Sequence, residues 1–288
     1  MITTCRNVIV VGALLLSHAA WAENAAAPKA AAPADRCNRG QFRVLLDVGH
    51  TALVPGATSA RGATEFDFNT KLASLIKDRM VAAGFARTHM MVTTGKAKPG
   101  LFKRVADANR KPLPDLFLSI HHDSVPSKFK ETWEFEGKQI QYSDRFKGHS
   151  IFISNDNADP QASLQFAHLL GEQMKARGLE YTPHYKEPFM GDRQRILVDA
   201  DVGVYRYDQL IVLRKTLMPA VLLEAGSIIN RDEELQMGSS ERQTLIGDSV
   251  TDAVVKFCNE RQKADKPVQA KRPGKPDSVS AAAAPPRR

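Results

Sequence analysis

Apolar runs alternate with amphipathic stretches along most of this 288-residue chain. Residues 42–46 form a strand-like apolar run that carries Asp47 and His50 to its carboxyl end. From Phe66 onward, Phe68, Leu72, Leu75, Ile76 and Met80 recur at spacings of three and four, and Gly84 follows as a stop. That pattern predicts an amphipathic helix of about five turns starting near Glu65. Residues 89–94 read as a short strand, 101–109 as a helix containing Arg104, and 115–124 as a strongly apolar strand ending in polar residues. Strands alternating with helices predict an α/β fold, a single domain with a mainly parallel twisted sheet and helices on both faces.

Further along, the polar stretch 125–148 sets Trp133 and Phe135 among Lys, Glu and Gln and reads as a long surface excursion of hairpin type near the site. Residues 149–154 are a strand, and 160–177 a helix closed by Gly178. Between 179 and 208 the pattern is weak, and Tyr181, Tyr185, Phe189, Tyr205 and Tyr207 are spread through what reads as a polar loop lining a substrate groove. Two short apolar runs follow, 210–213 and 220–223, the second ending at Glu224. Residues 241–259 close the domain as a helix with Leu245, Ile246, Val250, Val254 and Phe257 on one face, and no internal repeat is visible.

The ends bound the domain to residues 37–260. Residues 1–22 combine Arg6, an apolar run at 8–16 and Ala20-Trp21-Ala22, the pattern of a cleaved secretory signal, and the run is too short for the ~20 residues of a bilayer-spanning helix. Cleavage near Ala22 would remove Cys5, leave no membrane span, and place the mature protein in the periplasm or outside the cell. Residues 23–36 are an Ala/Pro-rich linker, and 261–288 a disordered basic tail with eight Lys or Arg against two Asp. Six of the chain's eight net positive charges therefore lie in that tail, which leaves no basic face for nucleic acid on the folded body. The tail either contacts an anionic envelope surface or only solubilises the chain. Cys37 and Cys258 flank the domain and either pair as a disulfide in an oxidising compartment or stay as two buried thiols.

Four polar residues share one kind of position: His50, His121 and Glu224 each end an apolar strand, and Glu65 opens a helix after a glycine-rich loop. Carboxyl ends of parallel strands converge, so such residues can meet. Two His and one Glu around an open fourth position make a catalytic zinc set, and a second Glu would then shuttle protons. Each also has an ordinary reading. His50 could cap a turn, Glu65 complement a helix dipole, His121 and His122 be plain polar strand ends, and Glu224 be an ion-paired loop carboxylate.

Across residues 42–257 these motifs resemble, in order, the zinc-dependent N-acetylmuramoyl-L-alanine amidases of the cell-division type, which cleave peptidoglycan. The matching segments are Leu46-Asp-Val-Gly-His50; Gly56-Ala57, Gly62 and Glu65; Leu101, Arg104 and Ala108-Asn109 with Asp115-Leu-Phe-Leu-Ser-Ile-His121; and Val212-Leu-Arg, Met218-Pro-Ala-Val-Leu-Leu-Glu224, Asn230 and Glu233. The resemblance implies a phosphorylase/hydrolase-like α/β fold and one Zn2+ per chain held by His50, Glu65 and His121. It also implies Glu224 as general acid/base and cleavage of the amide joining the muramic acid lactyl group to L-alanine of the stem peptide. His122 is a rival third ligand, but alternation along a strand lets only one of the pair face the site. Val48 stands where the family usually has proline, and Ala225-Gly-Ser-Ile replaces a glycine-phenylalanine step. The short spacing between Ser154 and Pro160 leaves no room for the self-inhibiting helix of some members. Two other readings stand beside this one: a zinc peptidase acting on cell-wall peptides, and an inactive wall-binding homologue.

Overall fold

The computed structural model describes residues 36–264. The expected signal, the linker up to residue 35 and most of the basic tail lie outside these residues. The strands are β1 (Arg43–Val48), β2 (Arg87–Met91), β3 (Leu116–Asp123), β4 (Glu131–Phe135), β5 (Lys138–Tyr142), β6 (Ser150–Ile153), β7 (Ile196–Asp199), β8 (Val204–Arg206) and β9 (Ala220–Ser227). The helices are α1 (Glu65–Ala82), α2 (Ala97–Ala108), α3 (Pro160–Ala176), α4 (Ile211–Arg214), α5 (Arg231–Gly238) and α6 (Ser240–Ala264).

Seven strands form one sheet in the order β2-β1-β3-β9-β6-β8-β7, and β4 and β5 make a separate hairpin. Strands β2, β1, β3 and β9 run parallel, while β6 is antiparallel to β9 and β7 to β8. Alternation along each strand sends side chains to two different layers. Val44, Leu46 and Val48 of β1, with Leu116, Leu118 and Ile120 of β3, pack into one core with α1, α3 and α6. Phe117, Phe152, Tyr205 and Leu222 face the other way, against α2 and α4. The helices therefore cover both faces, as expected.

Local chemistry sets the helix ends. Thr64 caps α1 by accepting from Asp67 N, and the helix gives way to Gly84 at φ 95°. Asp159 caps α3 with Pro160 in its first turn, and Gly178 follows it at φ 74°. Residues 154–159 alone join β6 to α3, so no extra helix is inserted there. A disulfide joins Cys37 to Cys258 across a sequence separation of 221 residues, fastening the start of the domain to α6.

Two expectations need correction, and two short helices carried no assignment. Segment 179–208 is not a loop throughout: it holds β7 and β8, which are only four and three residues long, too short for periodicity to register. The apolar run at 210–213 enters a single helical turn, α4, after Leu210 at its N-cap, and α5 has only Leu235 and Met237 as apolar residues. The closing helix runs to Ala264 rather than ending at 259, and Arg261 donates to Asp159 Oδ2 at 3.0 Å while lying over the Phe257 ring, so the first tail residues belong to the fold.

Candidate active site

The parallel strands deliver the predicted residues to one place. In the register of β3 and β9, His121 sits directly beside Glu224, and β1 on the other side of β3 ends one residue short of Gly49 and His50. Glu65 arrives from the first turn of α1. One ligand atom from each of His50, Glu65 and His121 lies within 4.8 Å of the others. Glu65 bridges the two imidazoles, Oε2 at 3.0 Å from His50 Nε2 and Oε1 at 2.9 Å from His121 Nδ1. Burial alone would raise the Glu65 pKa, but the hydrogen bonds from His121 and His50 outweigh it and hold the carboxyl below the ordinary carboxylate range.

Glycine makes this convergence possible. A Cβ on Gly49 would stand 2.5 Å from the His121 ring, and one on Gly56, at φ 82°, would stand 2.4 Å from Glu65 Oε2 and 2.6 Å from His50 Cδ2. His50 itself has φ 65°, a left-handed conformation that turns its side chain back toward Glu65. Arg104 of α2 holds that turn. Its guanidinium donates to His50 O, to Val48 O at 2.7 Å and to Asp47 Oδ1 at 2.9 Å, and Ser119 Oγ donates to Asp47 Oδ2 at 2.7 Å. Burial pushes the Asp47 pKa up, and Arg104 partly offsets the rise.

These groups open into a cavity of about 350 Å³ whose lining includes His50, His121 and Glu224, with Leu101, Val212 and Leu222 among its apolar residues. Glu224 Oε2 is buried and has no hydrogen-bond partner among the described residues. Burial, reinforced by the carboxylates of Asp123 and Glu65, raises its pKa well above the ordinary value. A carboxyl oxygen left without a partner in a lined cavity is costly for folding alone and suits a group that handles a proton.

His122 faces the opposite layer. Its Nδ1 lies 2.8 Å from Asn69 Oδ1 and burial lowers its pKa to about 4; its side chain is not among the converging donors, and it touches the site through its backbone N, 3.4 Å from Glu65 Oε1. Several residues escaped sequence reasoning. Asp123 accepts from Tyr185 Oη at 2.7 Å, and burial raises its pKa to about 6; Arg193 and Arg195 line the same cavity. The only signal for them was the aromatic content of 179–208. Of those aromatics, Tyr185 and Tyr207 line this cavity, Tyr205 is core, and Tyr181 and Phe189 line a different one.

The sequence profile of the N-acetylmuramoyl-L-alanine amidases matches residues 44–256. The chain belongs to that family. Solved structures agree in fold. The amidase Ami1 from Mycobacterium smegmatis aligns with a TM-score of 0.57 at 19% identity, covering 76% of this chain and 98% of Ami1. The catalytic domain of CwlV from Bacillus (Paenibacillus) polymyxa aligns at 0.53 and 23%, covering 75% and 97%, and an amidase from Clostridium difficile 630 at 0.54 and 19%, covering 76% and 98%. No curated protein matches the chain in sequence. The amidase carries both departures seen in its sequence: Val48 is a fully buried member of the core, and Gly226 lies so near α5 that a Cβ would meet Met237 Sδ at 2.7 Å.

Proposed function

We propose that this amidase is zinc-dependent, that His50, Glu65 and His121 hold one Zn2+, and that Glu224 is the general acid/base. Two imidazoles and a carboxylate are the donor set of a catalytic zinc with an open position, and the close approach enforced at Gly49 and Gly56 is the cradle such a set needs. Zinc bound there would polarise the amide carbonyl and lower the pKa of water toward ~7. The observation that carries the reading is the convergence of these three donors beside Glu224, whose buried Oε2 has no hydrogen-bond partner among the described residues.

In the reaction, Glu224 takes the proton of the attacking water and hands it to the leaving nitrogen of L-alanine, breaking the bond to the muramic acid lactyl group. Leu101 of α2 and Val212 of α4 form an apolar wall of the cavity, and Arg104 holds His50 by its backbone carbonyl. Placement in the periplasm or outside the cell is supported by the signal pattern at residues 1–22 and by the Cys37–Cys258 disulfide, a bond of oxidising compartments. No helix among the described residues is long and apolar enough to cross a membrane. The basic tail would add contact with an anionic envelope surface.

Digestion of purified sacculi with and without chelator tests the reading. Free stem peptides beginning with L-alanine, lost on chelation, are the expected products. Shortened peptides still on the glycan would make the protein a peptidase, and no release at all a wall-binding homologue.

A further inference from the structure

Two arginines give the cavity a charge that the hydrolytic step does not use. Arg193 ends the 3-10 turn Pro188–Arg193, Gln194 is extended at φ −64° and ψ 138°, and Arg195 follows. Residues two apart in extended chain project to the same side, and Arg193 and Arg195 both line the cavity that contains His121 and Glu224.

Arg193 has only a loose partner in Asp123, with Glu224 also near, and Arg195 has no matching carboxylate among the described residues. Arg193 Nη1 donates to Ser124 O at 3.2 Å, while Nη2 lies 3.5 Å from Tyr185 Oη and 3.9 Å from Asp123 Oδ1, and 43% of the side chain is exposed. Arg195 stacks on the Tyr207 ring at 3.7 Å, and its Nη1 donates to the backbone carbonyls of Asp192 and Gln194. Among the described residues no carboxylate pairs with Arg195, and its buried Nε has no hydrogen-bond partner. Nε and Nη2 share one edge of a guanidinium, the edge that receives a carboxylate in a two-point pair. That edge of Arg195 is unused by the protein.

We infer that Arg193 and Arg195 form a carboxylate subsite that reads the peptide side of the substrate. The inference rests on the amidase reading. On the sugar side of the scissile amide the substrate offers hydroxyl and acetamido groups, whereas the stem peptide carries the free carboxylates. A cationic pair beside the acid/base therefore selects the leaving peptide and seats it with its nitrogen toward Glu224. The apolar lining beside the pair accommodates the L-alanine methyl group.

The test uses the full mature protein loaded with zinc and two muramoyl-tripeptides, one with free carboxylates and one with every carboxyl converted to carboxamide. The wild type should favour the free acid by about tenfold in kcat/KM, carried mainly in KM, as a charge-assisted hydrogen bond would give. In Arg195→Gln the ratio should fall toward one, Arg193→Gln should reduce it, and Arg195→Lys should keep part of it, with zinc content and melting temperature checked for each. A wild-type ratio near one, or a full ratio in both glutamine variants, overturns the subsite. If Arg195→Gln fails to fold, Arg193→Gln and Arg195→Lys decide by the same ratio. If the wild type cleaves neither substrate, the amidase reading fails instead. Calorimetric binding of the free-acid and carboxamide tripeptides then still decides the arginines, equal affinity overturning their role.

Discussion

Arg104 donates from α2 to the carbonyl oxygen of His50 while the same guanidinium pairs with the buried carboxylate of Asp47. One buried cation thus ties the end of β1 to the neighbouring helix and holds His50 in its left-handed conformation. Asp47 is fully buried and Arg104 is 3% exposed, so loss of the cation strands a charge. Arg104→Met should cost about 3–5 kcal/mol in denaturant unfolding, and Asp47→Asn in the same chain should recover part of it. A cost below ~1 kcal/mol would show that the clamp is not structural.

Glu224→Gln keeps the shape of the side chain and removes its capacity to exchange a proton. Turnover should fall by about 10²–10⁴-fold, while zinc content measured by atomic absorption stays near one ion per chain. Retained turnover would remove Glu224 from the acid/base role.

Gly56→Ala places a methyl group 2.4 Å from Glu65 Oε2 at a φ of 82°. Gly84→Ala supplies the comparison, because it has a similar φ of 95° but meets nothing closer than 3.6 Å. Both should lose about 1–2 kcal/mol to backbone strain, but only the Gly56 variant should also lose about tenfold or more in zinc affinity by competition with a chromogenic chelator. Equal zinc affinity in the two would mean that the loop does not set the spacing of the ligands.

The Cys37–Cys258 bond closes a loop across 221 residues of separation. Its reduction, or the Cys37→Ser and Cys258→Ser pair, should lower unfolding stability by about 2–5 kcal/mol, chiefly by freeing the unfolded chain. Two alkylatable thiols in the unreduced protein would refute the bond itself.

His168 Nδ1 lies 2.6 Å from Asp199 Oδ2, and that hydrogen bond raises the histidine's pKa above its ordinary 6.5. A raised histidine favours the folded state below its ordinary pKa, and the benefit disappears as pH climbs through the folded value. With the side chain 45% exposed the effect is shallow. Proton NMR titration should place the His168 midpoint above 6.5, and His168→Gln should flatten the decline in stability from pH 6 to 8. A midpoint at or below the ordinary value would contradict the pairing.

The sequence by itself determined the alternation of strands and helices, and with it the four positions His50, Glu65, His121 and Glu224. Residues that end apolar strands or open a helix take their location from local periodicity, and the resemblance to the amidases singled out these four, each of which also had an ordinary reading. Alternation along the strand let only one of His121 and His122 face the site, and the family resemblance favoured His121. Only the tertiary structure decided what is not periodic. β7 and β8 are too short to carry a pattern, and α4 is a single turn held by the packing of Val212 and Leu213 against the sheet. Arg193 and Arg195 reach the cavity after a turn at Gly191, and Asp123 follows a register shift in β3 that leaves it beside Tyr185 and Arg193, and neither event leaves a signature in spacing. The pairing of Cys37 with Cys258 was open for the same reason: which thiols meet depends on how α6 returns across the sheet to the start of the domain.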